Sequence, residues 1–186
     1  MTDAPPLVVR AAVPADAAAM AALHVHAWRA AYAGVMSADF LASLTIEDRE
    51  AMWRRSLTDP ALAPAERVIL VAAEGEQVLG FCAAGHARGD DELGLGELYA
   101  LNVDPLAWGR GAGRALLAAA ATWLDARFRV SIVWVADENP RARRLYERAG
   151  WSLDGGAKTE DFGGTGVRHC RYRWQPSTHG KVRREP

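Results

Sequence analysis

The segment Glu97-Leu98-Tyr99-Ala100-Leu101-Asn102-Val103 leads through Asp104-Pro105 to Trp108-Gly109-Arg110-Gly111-Ala112-Gly113-Arg114. The first stretch predicts a central strand that Asp104-Pro105 ends. Beyond the glycines, Leu116, Leu117, Ala120, Leu124 and Phe128 fall on one face of a helical repeat. A glycine-rich turn between strand and helix has a definite chemical capability. Small residues let successive backbone N–H groups converge, and the helix N-terminus adds partial positive charge, so the turn can cradle a pyrophosphate. Arg110 and Arg114 would add full charges. The same composition also serves a tight connection that binds nothing, so the turn by itself names no ligand.

Two better-known glycine motifs are excluded by inspection. A P-loop needs Gly-Lys-Ser/Thr at its end, and Gly113 is followed by Arg114-Ala115. A dinucleotide fingerprint needs a third glycine three places after the second. That place is Arg114 when counted from Gly111 and Leu116 when counted from Gly113.

Outward from the turn, the flanks predict an α/β domain. Leu7 to Val13 is a short strand, and Pro14-Ala15-Asp16 opens a helix running to about Gly34, with Met20, Leu23, Ala27, Ala30 and Ala31 as its apolar stripe. Helical signals resume at Ser37-Ala38-Asp39 and break near Thr45, where Thr45-Ile46-Glu47-Asp48 resembles a capping box. Arg67 to Glu74 and Gln77 to His86 form a predicted hairpin on Gly75-Glu76, and His86 to Gly94 is a loop. Val130 to Val135 is a buried strand; Asn139-Pro140 caps and opens a helix that Gly150 ends. Trp151 to Leu153 and Val167 to Trp174 are predicted closing strands around a glycine-rich loop, Asp154 to Gly166. The expected whole is one domain over residues 1–175, a mixed, mainly antiparallel sheet of about six to seven strands flanked by about four helices. A mobile tail is expected over 176–186.

Half of the 186 residues are apolar and 24% are charged, the balance of a chain with a packed core. A net charge of -1 argues against a nucleic-acid partner held by phosphate neutralisation. Cys82 and Cys170 have no ligand spacing, so neither a disulfide framework nor a metal site is encoded, and a cytoplasmic setting is expected. Asp3, Arg10 and Asp16 interrupt the alanine-rich start, so no signal peptide is predicted, and no apolar run is long enough to span a membrane.

With these motifs in order, the chain resembles the GNAT superfamily of acetyl-CoA-dependent N-acetyltransferases from Leu7 to Trp174. The family's Gln/Arg-x-x-Gly-x-Gly/Ala is matched by Trp108-Gly109-Arg110-Gly111-Ala112-Gly113, with Trp108 replacing the usual first residue. Its Asn-x-x-Ala-x-x-Phe-Tyr-Glu-x-x-Gly-Phe is matched by Asn139-Pro140-Arg141-Ala142-Arg143-Arg144-Leu145-Tyr146-Glu147-Arg148-Ala149-Gly150-Trp151.

The resemblance implies a fold and a division of labour. Acetyl-CoA is the implied acyl donor, with the backbone of Leu101, Asn102 and Val103 pairing with its pantetheine arm and the turn from Gly109 to Arg114 (Gly109, Arg110, Gly111, Ala112, Gly113, Arg114) holding its pyrophosphate. Asn139 would contact the cofactor arm, and Tyr146 would face the sulfur as general acid; the alternative for Tyr146 is a core aromatic. A lysine-like amine is protonated at neutral pH, so a base is wanted. Glu97, His86 and water are the candidates; period two places Glu97 on one face with Tyr99, Leu101 and Val103. His24, Trp28 and Tyr32, spaced i, i+4, i+8, are candidates for the acceptor pocket. The implied function is direct acetyl transfer, in a ternary complex, to a primary amine on a small molecule or peptide. A non-catalytic acyl-CoA-binding sensor is the alternative reading, and a homodimer is compatible with the sequence.

Overall fold

In the computed structural model, which describes residues 5–59, 66–89 and 92–175, the chain opens with strand β1 (Leu7–Ala11) and a short turn, Pro14–Asp16, into helix α1 (Ala17–Ala31). The Asp16 carboxylate organises this start. It accepts from the Val13 N–H at 2.8 Å and from both terminal nitrogens of Arg10 at 2.7 and 2.9 Å. Helix α1 stops short of Gly34: the Tyr32 N–H closes on the Trp28 carbonyl, and the chain turns away. Helices α2 (Ala38–Ser43) and α3 (Ile46–Thr58) are capped by Ser37 and Thr45, whose hydroxyls accept from the N–H groups of Phe40 and Asp48. The predicted break at Thr45 is therefore a helix start.

The remaining elements are β2 (Arg67–Glu74), β3 (Gln77–His86), β4 (Gly96–Val103), α4 (Ala112–Asp125), β5 (Ser131–Ala136), α5 (Pro140–Arg148), β6 (Ser152–Phe162) and β7 (Thr165–Trp174). Among the described residues, seven strands form one sheet in the order β1-β2-β3-β4-β5-β7-β6. Every pairing is antiparallel except β4 with β5. The expected mixed, mainly antiparallel sheet with flanking helices is what forms. No helix among the described residues is long and apolar enough to cross a membrane. The predicted tail, 176–186, lies outside the described residues.

Helices cover both faces of the sheet. On one, Met20, Leu23 and Ala27 of α1 and Trp53 of α3 pack on Val71, Phe81 and Ala83. On the other, Leu116, Leu117, Ala120 and Leu124 of α4 and Tyr146 of α5 pack on Ala72, Cys82, Ala84, Leu98, Val133 and Val135. Burying each large apolar side chain contributes about 1.5–3 kcal/mol, so the two layers fix the helices to the sheet. Ala30, expected in the α1 stripe, is exposed; Val25 is buried instead, in a third cluster with Met36, Leu41, Ala136 and Val167.

Two local expectations are corrected. Ala83 pairs with Ala100 but Ala84 pairs with Leu98, which leaves Tyr99 as the extra residue of a bulge. The bulge breaks the alternation: Leu98, Leu101 and Val103 pack on the α4 side, Tyr99 and Ala100 on the α1 side. Glu97, Tyr99, Leu101 and Val103 thus do not share a face. Most of the expected Asp154 to Gly166 loop is strand β6, which turns at Gly163-Gly164 into β7. Its register slips between Leu153 and Ala157, where Gly155 adopts φ 88°, a conformation glycine alone takes readily.

Candidate active site

Strands β4 and β5 run side by side only at Gly96↔Ser131 and Glu97↔Ile132. Beyond these pairs β5 stays with β7 and β4 with β3, so the strands part and the β5-facing edge of Leu98 to Val103 carries no neighbouring strand. A cleft of about 1480 Å³ opens there, lined by Leu101, Asn102, Val103, Gly109 to Arg114, Asn139 and Tyr146 among others. The resemblance-based donor residues are brought together as one surface.

The glycine turn closes one end of this cleft. Gly109 and Gly111 adopt φ 83° and 93°, and Gly111 is the left-handed N-cap of α4. These angles bring the unpaired amides of the first turn of α4 to the cleft, where they can receive an anion. Trp108, in place of the usual glutamine or arginine, donates its Nε1–H to the Val103 carbonyl at 2.9 Å and so ties the strand end to the turn. The Arg141 guanidinium stacks on its ring at 4.0 Å.

Arg110 lines the cleft, and its guanidinium pairs with Glu74. Arg114 lines the cleft together with Arg141 and Arg144 of α5. Burial and the neighbouring Arg144 both pull Arg141 below the usual guanidinium value, as expected where like charges gather. Arg141 and Arg144 had no role assigned from the sequence. Their three-residue spacing behind the Asn139 cap places them on one helix face, a signal the motif alone did not interpret.

Tyr146 lies within this surface and is 5% exposed, with its ring 5.9 Å from Trp151 and 6.1 Å from Tyr172. It is thus both a core aromatic and a cleft residue. Burial pushes its phenol above the ordinary tyrosine value, and Tyr32 and Cys82 add to the effect. The side-chain oxygen of Asn139 accepts from the Ala142 N–H at 3.0 Å, capping α5.

The stripe on α1 faces the same space. His24, Trp28 and Tyr32 all line the cleft, with successive ring centroids 5.4 and 5.3 Å apart. Phe162 at the tip of β6 packs on Trp28 at 5.8 Å, so the hairpin clasps this wall.

Glu97 is placed differently. It is 9% exposed, does not line the cleft, and accepts from the Arg88 N–H at 3.1 Å. Burial lifts its carboxyl above the usual carboxylate range, with Arg88 opposing the shift. Arg88 does line the cleft and stacks on Tyr99 at 3.8 Å. His86 is exposed, lines the cleft, and packs edge-on to Phe128 at 4.9 Å. The cysteines are poor nucleophiles: burial pushes the Cys82 thiol up to about 12 and the Cys170 thiol up to about 11.

Comparison with known proteins agrees with this geometry. A model described as the Acetyltransferase (GNAT) family matches residues 22–151. YuaI of Bacillus subtilis (strain 168), an uncharacterized N-acetyltransferase, is 35% identical over 136 residues, covering 72% of this chain and 74% of that protein. The mycothiol acetyltransferase of Beutenbergia cavernae is 36% identical over 130 residues, 68% of this chain but only 41% of that enzyme. The crystal structure of PaiA N-acetyltransferase from Thermoplasma acidophilum in complex with coenzyme A shares the fold, with a TM-score of 0.67, 17% identity, and coverage of 91% of this chain and 99% of that one. Sequence match and fold agree, and the chain belongs to the acetyltransferase (GNAT) family of acyltransferases.

Proposed function

We propose that the protein transfers an acetyl group from acetyl-CoA to a primary amine, both molecules being held in the one cleft. The observation that carries this reading is the parting of β4 and β5 directly beside the Gly109 to Gly113 turn: a bare strand edge and a ring of free amides meet in one space. The Thermoplasma protein of the same fold is a coenzyme A complex, which supports the choice of donor. When bound, acetyl-CoA supplies the activated acyl carbon and a thiolate leaving group.

The chain's own residues divide the work. Backbone groups of Leu101, Asn102 and Val103 pair with the amides of the donor's arm, and one N–H there stabilises negative charge on the carbonyl oxygen. Amides of Gly111, Ala112 and Gly113 hold the pyrophosphate, and Arg114, Arg141 and Arg144 complement its charge. Asn139 orients the start of α5, and Tyr146 donates a hydrogen bond to the sulfur. Glu97, set behind the cleft-lining Arg88 at 3.8 Å, takes the amine's proton through water that reaches past that wall, a role for which its raised carboxyl value suits it. His24, Trp28 and Tyr32 bound the acceptor, a small-molecule or peptide amine. The two protonated thiols favour direct attack over an acyl-cysteine, and free cysteines suit a cytoplasmic protein.

A panel of amines incubated with acetyl-CoA, followed by release of free thiol, tests the reading. Thiol release that depends on one or a few amines is expected. Tight acetyl-CoA binding with no release for any amine would overturn it.

A further inference from the structure

The wall of the cleft built by α1 and α3 holds a polar group whose hydrogen bonding the reaction above leaves unspecified. His24 is 7% exposed, its ring set among Trp28, Trp53 and Phe81 at 5.4, 5.9 and 5.7 Å. The Trp53 Nε1–H points to the His24 Nδ1 at 3.3 Å. An indole nitrogen only donates, so Nδ1 must offer its lone pair and cannot carry a proton. That requirement excludes the imidazolium and the Nδ1–H tautomer together. The ring is neutral, with its one proton on Nε2.

The surroundings agree. Burial, and after it the charge of Arg49 on α3, pull the ring down to about 4, and the Arg49 guanidinium lies 5.8 Å from the Trp28 ring centre. His24 therefore cannot serve as the base for the acceptor amine at neutral pH: one nitrogen is occupied and the other is already protonated. Among the described residues no hydrogen bond to Nε2 is formed, yet the residue lines the cleft. A donor of fixed sense in an aromatic wall is satisfied at least cost by an oxygen on the bound molecule.

We propose that His24 is a specificity-determining residue whose Nε2–H donates to a carbonyl, amide or hydroxyl oxygen of the acceptor. The acceptor class is then an amine that carries such an oxygen, seated among Trp28, Trp53 and Tyr99, in preference to a bare alkyl or arylalkyl amine. This inference rests on the acetyl-transfer reading above.

Two probes differing in that oxygen test it: phenylalaninamide, which has the carbonyl, and 2-phenylethylamine, which lacks it. Because they differ in amine basicity as well, the quantity to read is the change in their kcat/KM ratio between wild type and His24→Leu. Loss of one hydrogen bond should shift the ratio against phenylalaninamide by roughly 3- to 10-fold. An unchanged ratio with turnover intact overturns the role of His24 alone. No thiol release with any amine, acetyl-CoA still binding, counts against the acetyl-transfer reading itself, and the role falls with it. Should the leucine variant fail to fold, ring ¹⁵N shifts of wild-type His24 decide the matter. They should show a bare Nδ1 and a protonated Nε2 at neutral pH, with the Nε2 signal moved by phenylalaninamide and not by 2-phenylethylamine. An Nδ1–H tautomer, an imidazolium, or equal response to both probes overturns the proposal.

Discussion

Replacing Tyr146 with phenylalanine isolates one hydroxyl in an otherwise unchanged site. The ring contacts to Trp151 and Tyr172 at 5.9 and 6.1 Å survive, so stability should change by about 1 kcal/mol or less. Catalysis should change far more. Ordinary values of about 10 for a phenol and about 8.5 for a thiol already make full proton transfer uphill by about 2 kcal/mol. Burial raises the Tyr146 phenol further, so complete transfer is harder still, and in the proposed reaction the side chain would act as a hydrogen-bond donor to developing thiolate charge. Removing a donor of that kind costs about 10²- to 10³-fold in kcat, or about 2.7–4 kcal/mol. The sign of the shift carries a second consequence. A phenol held above its usual value stays protonated through the working range, so Tyr146 itself should impose no fall in kcat at mildly alkaline pH. The assay is steady-state thiol release across pH, with acetyl-CoA affinity measured on the same preparation. Normal kcat in Tyr146→Phe would show that water or another group attends the sulfur, and that Tyr146 only fills the core.

Other substitutions reach other parts of the molecule. Gly111→Glu forces a side chain onto φ 93° and sets a negative charge at the anion-binding turn; a folded variant with undiminished acetyl-CoA affinity by calorimetry would remove the turn from the donor site. Glu97→Gln should slow turnover about 10²-fold and erase an acid limb lying above the usual carboxylate range, since the wild-type rate rises as the buried carboxyl loses its proton. A wild-type rate and pH profile would leave Glu97 only as a partner of Arg88. Asp16→Asn should cost about 1–3 kcal/mol in urea denaturation at neutral pH, because it weakens three hydrogen bonds at the start of α1. Arg10 holds Asp16 below its usual value, so this contribution is present above the unfolded-state value and lost as pH falls through the folded one. The two stability curves should converge in acid, and equal midpoints at neutral pH would refute the role.

What the sequence made legible followed from local rules. Asn139-Pro140, Ser37 and Thr45 announce helix starts because a capping oxygen and its amide lie within one turn of chain, and each became a cap. His24, Trp28 and Tyr32 keep helical spacing, and they line one wall. What stayed hidden was decided by distant pairing. No residue between Ala83 and Ala100 signals that Tyr99 will be left over; the bulge exists only in the register between two strands, and it moved Glu97 off the expected face. Likewise Gly155-Gly156 has the composition of a loop, and β6 is held as a strand by β7. Nothing near Arg110 in the chain announces that the fold brings Glu74 beside it.

The position of the cleft follows from the one departure in the sheet's pattern. In antiparallel neighbours the strand ends alternate, so a helix leaving one strand starts beside the beginning of the next. Strands β4 and β5 are parallel, and each is followed by a helix, α4 after β4 and α5 after β5. Both helix N-termini therefore stand at the same edge of the sheet, and their partial positive charges add where an anion would sit. A methyl group added to Gly113 at the start of α4 would touch Val103 of β4 and Leu145 of α5, so the first turn of α4 lies close against the side of α5. Parting the strands at that edge exposes unpaired backbone groups of Leu98 to Val103, which would be costly if nothing satisfied them. An extended, amide-bearing ligand with a diphosphate satisfies the strand edge and the helix ends together, whereas a ligand lacking either part would leave one of them unmatched. On the proposed function, the donor is then selected by its length and by the spacing of its polar groups, and the side chains of α1 and α3 are left to choose the acceptor.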